Sequence, residues 1–393
     1  MTIQPVRLIR LTDKTERRPV YAVWELTLRC NLKCNHCGSR AGEQRSGELT
    51  TEEAFHLIDE LAELGVRELA VIGGEAYLRR DWLEIIERIC SYGIRPVLQT
   101  GGYGLSEKVI VRAKSSGLAA IGVSVDGTSE IHDKIRGVNG AHYSALQAIR
   151  WAKKHGLAAT ANTQIHSRNW RQLPEILLEL ADAGIEAWQL QLTVAMGNAV
   201  ENSQLLLQPY FLDELFPILA KLFEECDKRG IEFQAGNNIG YFGPYEHLWR
   251  GPTRMSDHYD GCQAGINGIG IEADGTIKGC PSLATSRYTE GNVKRRRLKD
   301  IWTDRKNFQL NRVEKPSLWG FCKSCYYSSV CRGGCVWTSD SLLGRPGNNP
   351  YCHHRVLALK AQNIREKIVK VHDAQQSSFG VGLFQIVEEA WDD

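Results

Sequence analysis

Between residue 21 and about residue 230, short apolar runs alternate with longer stretches whose apolar residues recur every three to four positions. The runs at 21–27 (YAVWELT), 68–72 (ELAVI), 96–100 (PVLQT), 119–125 (AAIGVSV), 158–165 (AATANTQI) and 187–193 (AWQLQLT) read as strands. Helical spacing fills the intervals at 51–64, 81–92, 106–116, 141–155 and 171–184, and again at 209–229. Repeated strand–helix units predict a parallel sheet with helices outside it. Six units close only part of an eight-unit barrel, and ligands in such sheets bind at the C-terminal strand ends. The expected fold is therefore α/β, a partial (β/α)6 TIM-like barrel over residues 21–235 behind an N-terminal extension, 1–20.

Beyond residue 235 this alternation fades. Residues 236–261, rich in Gly, Asn and Pro, read as a linker. Residues 262–355 show a strand signal at 268–273 and a turn at Asp274-Gly275, with little further regular structure. Residues 353–371 look helical and 373–393 carry no clear period, so 356–393 form a C-terminal helix and tail. The 48 basic and 46 acidic residues leave a net charge of +2, which argues against nucleic acid as a partner. No stretch approaches the roughly 20 apolar residues of a membrane span, and the first residues lack the apolar core of a signal peptide. These features point to the cytoplasm, where thiols stay reduced. In that setting the chain's 12 cysteines are metal ligands sooner than disulfides.

The cysteines are clustered. Cys30, Cys34 and Cys37 follow the first strand with CxxxCxxC spacing, which places them on the functional rim. Four thiolates complete the ligation of a [4Fe–4S] cluster; three leave one iron open to bind and activate a small molecule. A structural zinc site is the alternative, but it wants four ligands, and the nearest extra candidate, His36, abuts Cys37. Seven more cysteines lie further on: Cys262, Cys280, Cys322, Cys325, Cys331, Cys335 and Cys352. Cys90 and Cys226 stand apart at helical positions and read as buried thiols; their functional alternative is hydrogen donation to a substrate radical. Gly73-Gly74-Glu75 ends the second strand, where glycines allow close backbone approach and a carboxylate can accept from an amino group.

The front motif resembles the signature of the radical S-adenosylmethionine (SAM) superfamily, with His36 in the place of the aromatic residue before the last cysteine, and the resemblance covers essentially the whole chain. It implies that the open iron chelates the amino and carboxylate groups of SAM. Reductive cleavage then yields a 5′-deoxyadenosyl radical that abstracts hydrogen from substrate. Gly73, Gly74 and Glu75 look like the family's motif for the SAM amino group, with Ala76 in place of a frequent Pro. Ser124, at the end of the fourth strand, and Arg136 would hold further polar groups of SAM, and Asp126 shapes the turn before Gly127. The second cysteine set looks like a SPASM domain, which houses auxiliary [4Fe–4S] clusters. The family's connectivity implies one cluster on Cys322, Cys325, Cys331 and Cys352 and another on Cys262, Cys280 and Cys335. The latter is one cysteine short, since 263–279 contain none, so it would keep an open iron or take a ligand such as Asp260 or His258.

Three [4Fe–4S] clusters and SAM are thus the expected cofactors. The resemblance implies a peptide maturase that cross-links, epimerises or desaturates a ribosomally made precursor peptide. The alternative is haem- or quinone-type cofactor synthesis by the same initiation. A sulfatase maturase is disfavoured because Pro281, not Asp, follows Cys280. An iron–sulfur electron carrier would gain nothing from an open iron. The implied partners are the precursor peptide and an electron donor such as flavodoxin or ferredoxin. With 29 residues before Cys30, a separate leader-recognition protein or a leader-binding barrel surface is expected. The run Lys294–Lys299 is a solvated face or a contact for an acidic leader. Gln99, Asn162, Gln164, Gln189 and Gln191 are candidate substrate contacts. No acid–base pair stands out, so no catalytic residue is assigned beyond the SAM cluster.

Overall fold

In the computed structural model of the chain, residues 6, 7, 9–250 and 258–391 are described. Residues 1–5 and 8 of the expected extension, 251–257 of the expected linker, and 392–393 of the tail lie outside them. The six expected strands are present as β1 (Tyr21–Thr27), β2 (Glu68–Gly73), β3 (Arg95–Thr100), β4 (Ala120–Ser124), β5 (Ala158–Ile165) and β6 (Ala187–Leu192). They are parallel and adjacent in chain order. The six expected helices follow within a few residues of their expected bounds, from Thr51–Glu63 to Leu212–Lys228. Thr50 caps the first of them with a reciprocal bond to Glu53, a sequence-encoded start.

The sheet is larger than expected and stays open. A seventh parallel strand, β7 (Glu232–Ala235), adds to β6. On the far side β8 (Gly268–Ile271) pairs parallel with β1, followed by antiparallel β9 (Thr276–Lys278) and the two-residue β10 (Gly291–Asn292). The segment carrying the second cysteine set is therefore hydrogen-bonded into the same sheet as the first. The helix Ser129–Arg136, between β4 and the next expected helix, is an addition to the predicted elements.

Residues 364–371 differ from the sequence expectation. The helix His353–Lys360 stops, Asn363 turns with φ 59°, and the chain continues as β11 (Ile364–His372). This strand pairs antiparallel with β12 (Leu383–Ala390), which gives the unassigned tail its structure. The β-branched residues Ile364, Ile368, Val369 and Val371 favour the extended state. The expected linker is also packed where described: Tyr241, Trp249 and Arg250 are buried.

The two faces of the sheet differ. Along β5 every second residue is buried, and Ala159, Ala161 and Ile165 join the large core beneath the helices. The alternate face has its own small apolar floor, in which Tyr21 and Val23 pack on Ala70, Val97 and Ala120. Towards the C-terminal strand ends this face turns polar. Ser124, Asn162, Gln189 and Gln234 stand in one register row across β4 to β7, with Gln164 and Gln191 paired above them. All six side chains are partly exposed.

Candidate active site

The cysteine loop leaves the C-terminal end of β1 through an irregularity between Glu25 and Thr27 and lies against β2. This contact explains the glycine pair. A Cβ on Gly73 would stand 2.2 Å from the Thr27 carbonyl oxygen, and one on Gly74 would stand 2.3 Å from that of Arg29. With no Cβ in the way, Gly74 N–H donates to Thr27 O at 2.8 Å and Glu75 N–H to Arg29 O at 2.8 Å. The pair thus brings Glu75 beside the lead-in to Cys30.

Other segments hold the loop from the remaining sides. Lys33 and Asn35 N–H groups donate to the carbonyls of Arg136 (3.0 Å) and Ile135 (2.8 Å), at the end of the helix Ser129–Arg136. Gly137, with φ 70°, leaves room for Lys33 O, which a Cβ would meet at 2.4 Å. From beyond β6, Asn198 donates its N–H to Cys37 O (3.0 Å) and its amide to Cys34 O (2.9 Å). From the tail, Phe379 N–H donates to Gly38 O (3.1 Å) and Gly197 N–H to Gly380 O (2.8 Å).

Within the loop the Cys30, Cys34 and Cys37 thiols are near enough to act electrostatically on one another. Leu32 and Ala41 N–H groups donate to Cys30 Sγ and Cys37 Sγ at 3.4 Å each, and Arg136 Nη1 lies 3.8 Å from Cys34 Sγ. Burial pushes the Cys30 thiol up to about 11 and the Cys34 thiol up to about 12. As free groups they keep their protons at neutral pH, so binding a metal must displace them. Among the described residues no three His, Cys, Asp or Glu side chains converge on a single-ion site.

Glu75 is 1 % exposed. Its carboxylate accepts from Gly101 N–H (2.7 Å) and from the Thr100 hydroxyl, both at the end of β3. Burial pushes this carboxyl up to about 7, with Thr100, Gly101 and the Arg136 charge acting against it. The Gly101–Gly104 turn is tied to the loop as well: Tyr103 O accepts from the Asn31 amide at 2.7 Å and from the Tyr77 hydroxyl. Ser124 ends β4 level with Asn162, whose amide donates to the Gln99 side chain.

Asp126 does far more than shape a turn. It is wholly buried, and its carboxylate accepts from His36 Nε2 (3.0 Å), Arg136 Nη2 (2.5 Å) and Gln164 N–H (2.8 Å). Its own N–H donates to His132 Nδ1 at 3.0 Å, and its carbonyl accepts from Asn169 Nδ2 at 3.0 Å and lies 3.2 Å from His166 Nε2. Burial opposes its charge, but Arg136 and His36 more than offset this and hold the carboxyl far below the usual range. Burial likewise keeps His132 (about 3) and His166 (about 4) neutral near pH 7. The buried residue inside the cysteine motif, His36, is thereby tied to Asp126, just past the fourth strand, and through it to Arg136. The sequence singles out His36, Asp126 and Arg136 separately, but nothing in it signals that the three meet.

The second cysteine set divides in two. Cys322, Cys325, Cys331 and Cys352 line one small cavity with Phe242, Tyr327 and His354. Cys262, Cys280 and Cys335 act on one another electrostatically, and burial pushes Cys262 up to about 12. Asp260 and His258 are exposed. Cys226 is buried beneath the helices, while Cys90 packs against that same core and donates to Gly117 O at 3.3 Å. Both lie on the helical side of the sheet, away from the polar face. The basic run is largely paired: Lys294 with Glu53, Arg297 with Glu60 and Glu63, Lys299 with Glu63 and Arg296 with Asp304.

Residues 24–180 match the family model of the radical SAM superfamily, and residues 262–326 match that of an iron–sulfur cluster-binding domain, SPASM. A pre-heme d1 synthase of Dinoroseobacter shibae is 30% identical over 372 residues, covering 89% of this chain and 88% of that protein. A mycofactocin maturase of Mycobacterium ulcerans is 28% identical over 362 residues, covering 90% and 92%. The structure of Streptococcus suis SuiB bound to S-adenosylmethionine shares the fold, with TM-score 0.66 and 17% identity over 86% of this chain and 76% of that one.

Proposed function

The chain belongs to the radical SAM superfamily and carries a SPASM iron–sulfur domain, and on that premise we propose that it modifies a ribosomally made precursor peptide. That it is a radical SAM enzyme follows from the family; the peptide is our reading. The observation that carries it is the polar row Ser124–Asn162–Gln189–Gln234 on the face not covered by helices. Amides donate and accept at once, which suits a chain of peptide groups. Carboxylate-bearing tetrapyrroles call for cations, which this row lacks. The mycofactocin maturase relative supports the same reading.

The thiols present fit iron–sulfur groups: backbone N–H donors already point at Cys30 and Cys37 sulfur, and four thiols share one cavity. Cys30, Cys34 and Cys37 would hold the SAM-binding cluster, and the two later sets two auxiliary ones. When bound, the first cluster supplies the electron that cleaves SAM to the 5′-deoxyadenosyl radical, which takes a hydrogen atom from substrate. Glu75 accepts from the SAM amino group, Arg136 and Ser124 hold its polar groups, and Gly73 and Gly74 keep Glu75 against the loop. Asp126 fixes Arg136 and His36 in place. Gln99, Asn162, Gln164, Gln189 and Gln191 orient the peptide, and the apolar floor under Tyr21 and Val23 keeps water from the far end of the face.

Anaerobic incubation with SAM and a reductant should release 5′-deoxyadenosine, and Cys34→Ala should abolish it. Mass spectrometry of a neighbouring encoded peptide, co-expressed with the enzyme, then tests the substrate. A loss of two mass units reports cross-linking or desaturation. Unchanged mass with deuterium uptake from solvent reports epimerisation. A peptide unaltered in both respects overturns the reading. The 30% identity to a pre-heme d1 synthase favours a second reading, tetrapyrrole modification. In that case 5′-deoxyadenosine formation would be stimulated by an iron porphyrin and not by peptide.

A further inference from the structure

Tyr259 is 4 % exposed, and its hydroxyl oxygen is buried with no hydrogen-bond partner among the described residues. Buried hydroxyls rarely stay unpaired. The ring cannot swing away to find a partner. Its backbone N–H donates to Glu246 Oε1 at 3.0 Å, its ring packs edge-to-face with Tyr241 at a centroid separation of 4.6 Å, and the Arg250 guanidinium lies 5.4 Å from the ring centroid. Tyr241 makes an instructive contrast. Its hydroxyl donates to Asn237 O at 2.5 Å and accepts from Cys335 N–H at 3.0 Å, so one of two neighbouring tyrosines is satisfied by the described residues and the other is not. Tyr259 shares a buried cluster with Tyr241 and Cys335, against which Cys331 and Cys352 pack. Cys262 is the group whose charge acts most strongly on it, ahead of Cys335 and Cys331. Tyr259 thus stands among thiols of both sets, with Cys335 of the three-thiol set as its neighbour in the buried cluster.

We propose that the Tyr259 hydroxyl donates its hydrogen bond to a sulfur of the iron–sulfur group on Cys262, Cys280 and Cys335. This rests on the reading above that these three thiols hold such a group. The thiols become thiolates on binding iron, and an O–H donor suits that negative surface, whereas a phenolate would be repelled by it. A hydrogen bond to cluster sulfur stabilises the reduced, more negative state and raises the reduction potential. Tyr259 would thereby separate the potentials of two auxiliary groups that are otherwise both ligated by cysteine.

The test uses reconstituted full-length enzyme, with redox titration followed by EPR. In Tyr259→Phe, one auxiliary signal should move to lower potential, while iron content and the potential of the SAM-binding cluster stay as in the wild type. Electron–nuclear double resonance on the reduced wild type in D2O should find an exchangeable deuteron coupled to that signal, absent in the variant. This second measurement stands even where the variant folds poorly. Unchanged potentials, or no such deuteron in the wild type, overturn the proposal. Cys262→Ala separates the two levels. If it removes iron and the auxiliary signal, only the Tyr259 bond is at stake; if iron and signal persist, the cluster assignment falls and this inference with it.

Discussion

Asp126 is a buried carboxylate whose partners come from three distant segments: His36 in the cysteine loop, Arg136 at a helix end and Gln164 on β5. Removing one member of such a pair leaves an uncompensated buried charge, at a cost of about 3–5 kcal/mol. Asp126→Asn should therefore lower the unfolding free energy by that order and weaken SAM binding through a mobile Arg136. Denaturant unfolding and equilibrium dialysis would report the two effects. Glu75 gives a pH dependence. With its folded carboxyl raised from 4.5 to about 7, the group is neutral below that value and charged above it. Its ability to accept from the SAM amino group, and hence SAM affinity, should rise between pH 6 and 8. The sign for stability is opposite: a carboxyl whose folded value exceeds its unfolded one loses stability as pH climbs from 4.5 to 7. Glu75→Gln should remove this component of the binding profile, which isolates it from the titration of SAM itself.

At the level of elements, β1 to β6 were legible because short runs, apolar throughout or alternating with polar residues, stand between amphipathic helices. The cysteine motif was legible because its spacing is local. Other features depended on contacts that no local pattern carries. Asp126 looked like a turn residue, since nothing near it in the chain announces His36 as its partner. Tyr259 sat in a stretch whose Gly, Asn and Pro content suggested a linker. In β11, the charged run Arg365-Glu366-Lys367 masks the alternation, and only pairing with β12 decides the structure. The segment joining these two strands is a structural strap. Phe379 packs under Lys278 of β9, with its ring centroid 3.9 Å from Nζ, and its N–H holds Gly38. Phe379→Ala should cost about 3–5 kcal/mol and speed amide exchange at 38–42, which hydrogen-exchange mass spectrometry can follow.

Across the whole molecule, the two cysteine regions are one structure. Glu25 on β1 lies 3.3 Å from Arg45 and accepts from Ala273 N–H at 3.3 Å, and Lys278 on β9 meets Glu272 at 2.6 Å with Arg45 on its other side. Together with the β1–β8 pairing, this buried network spans the junction. A fragment ending at residue 261 would strip β8 from β1 and expose a strand edge beside Glu25, which would lose its bond from Ala273 N–H. It should aggregate more than the full chain, as comparison of soluble yields would show. The strap adds a temporal consequence. The loop that bears Cys30 is synthesised first, yet its Gly38 contact is made by Phe379, some 340 residues later. While the ribosome is still at work, that loop lacks one of its walls. Iron should therefore be inserted only after translation is nearly finished, and a nascent chain stalled before residue 379 should not retain it.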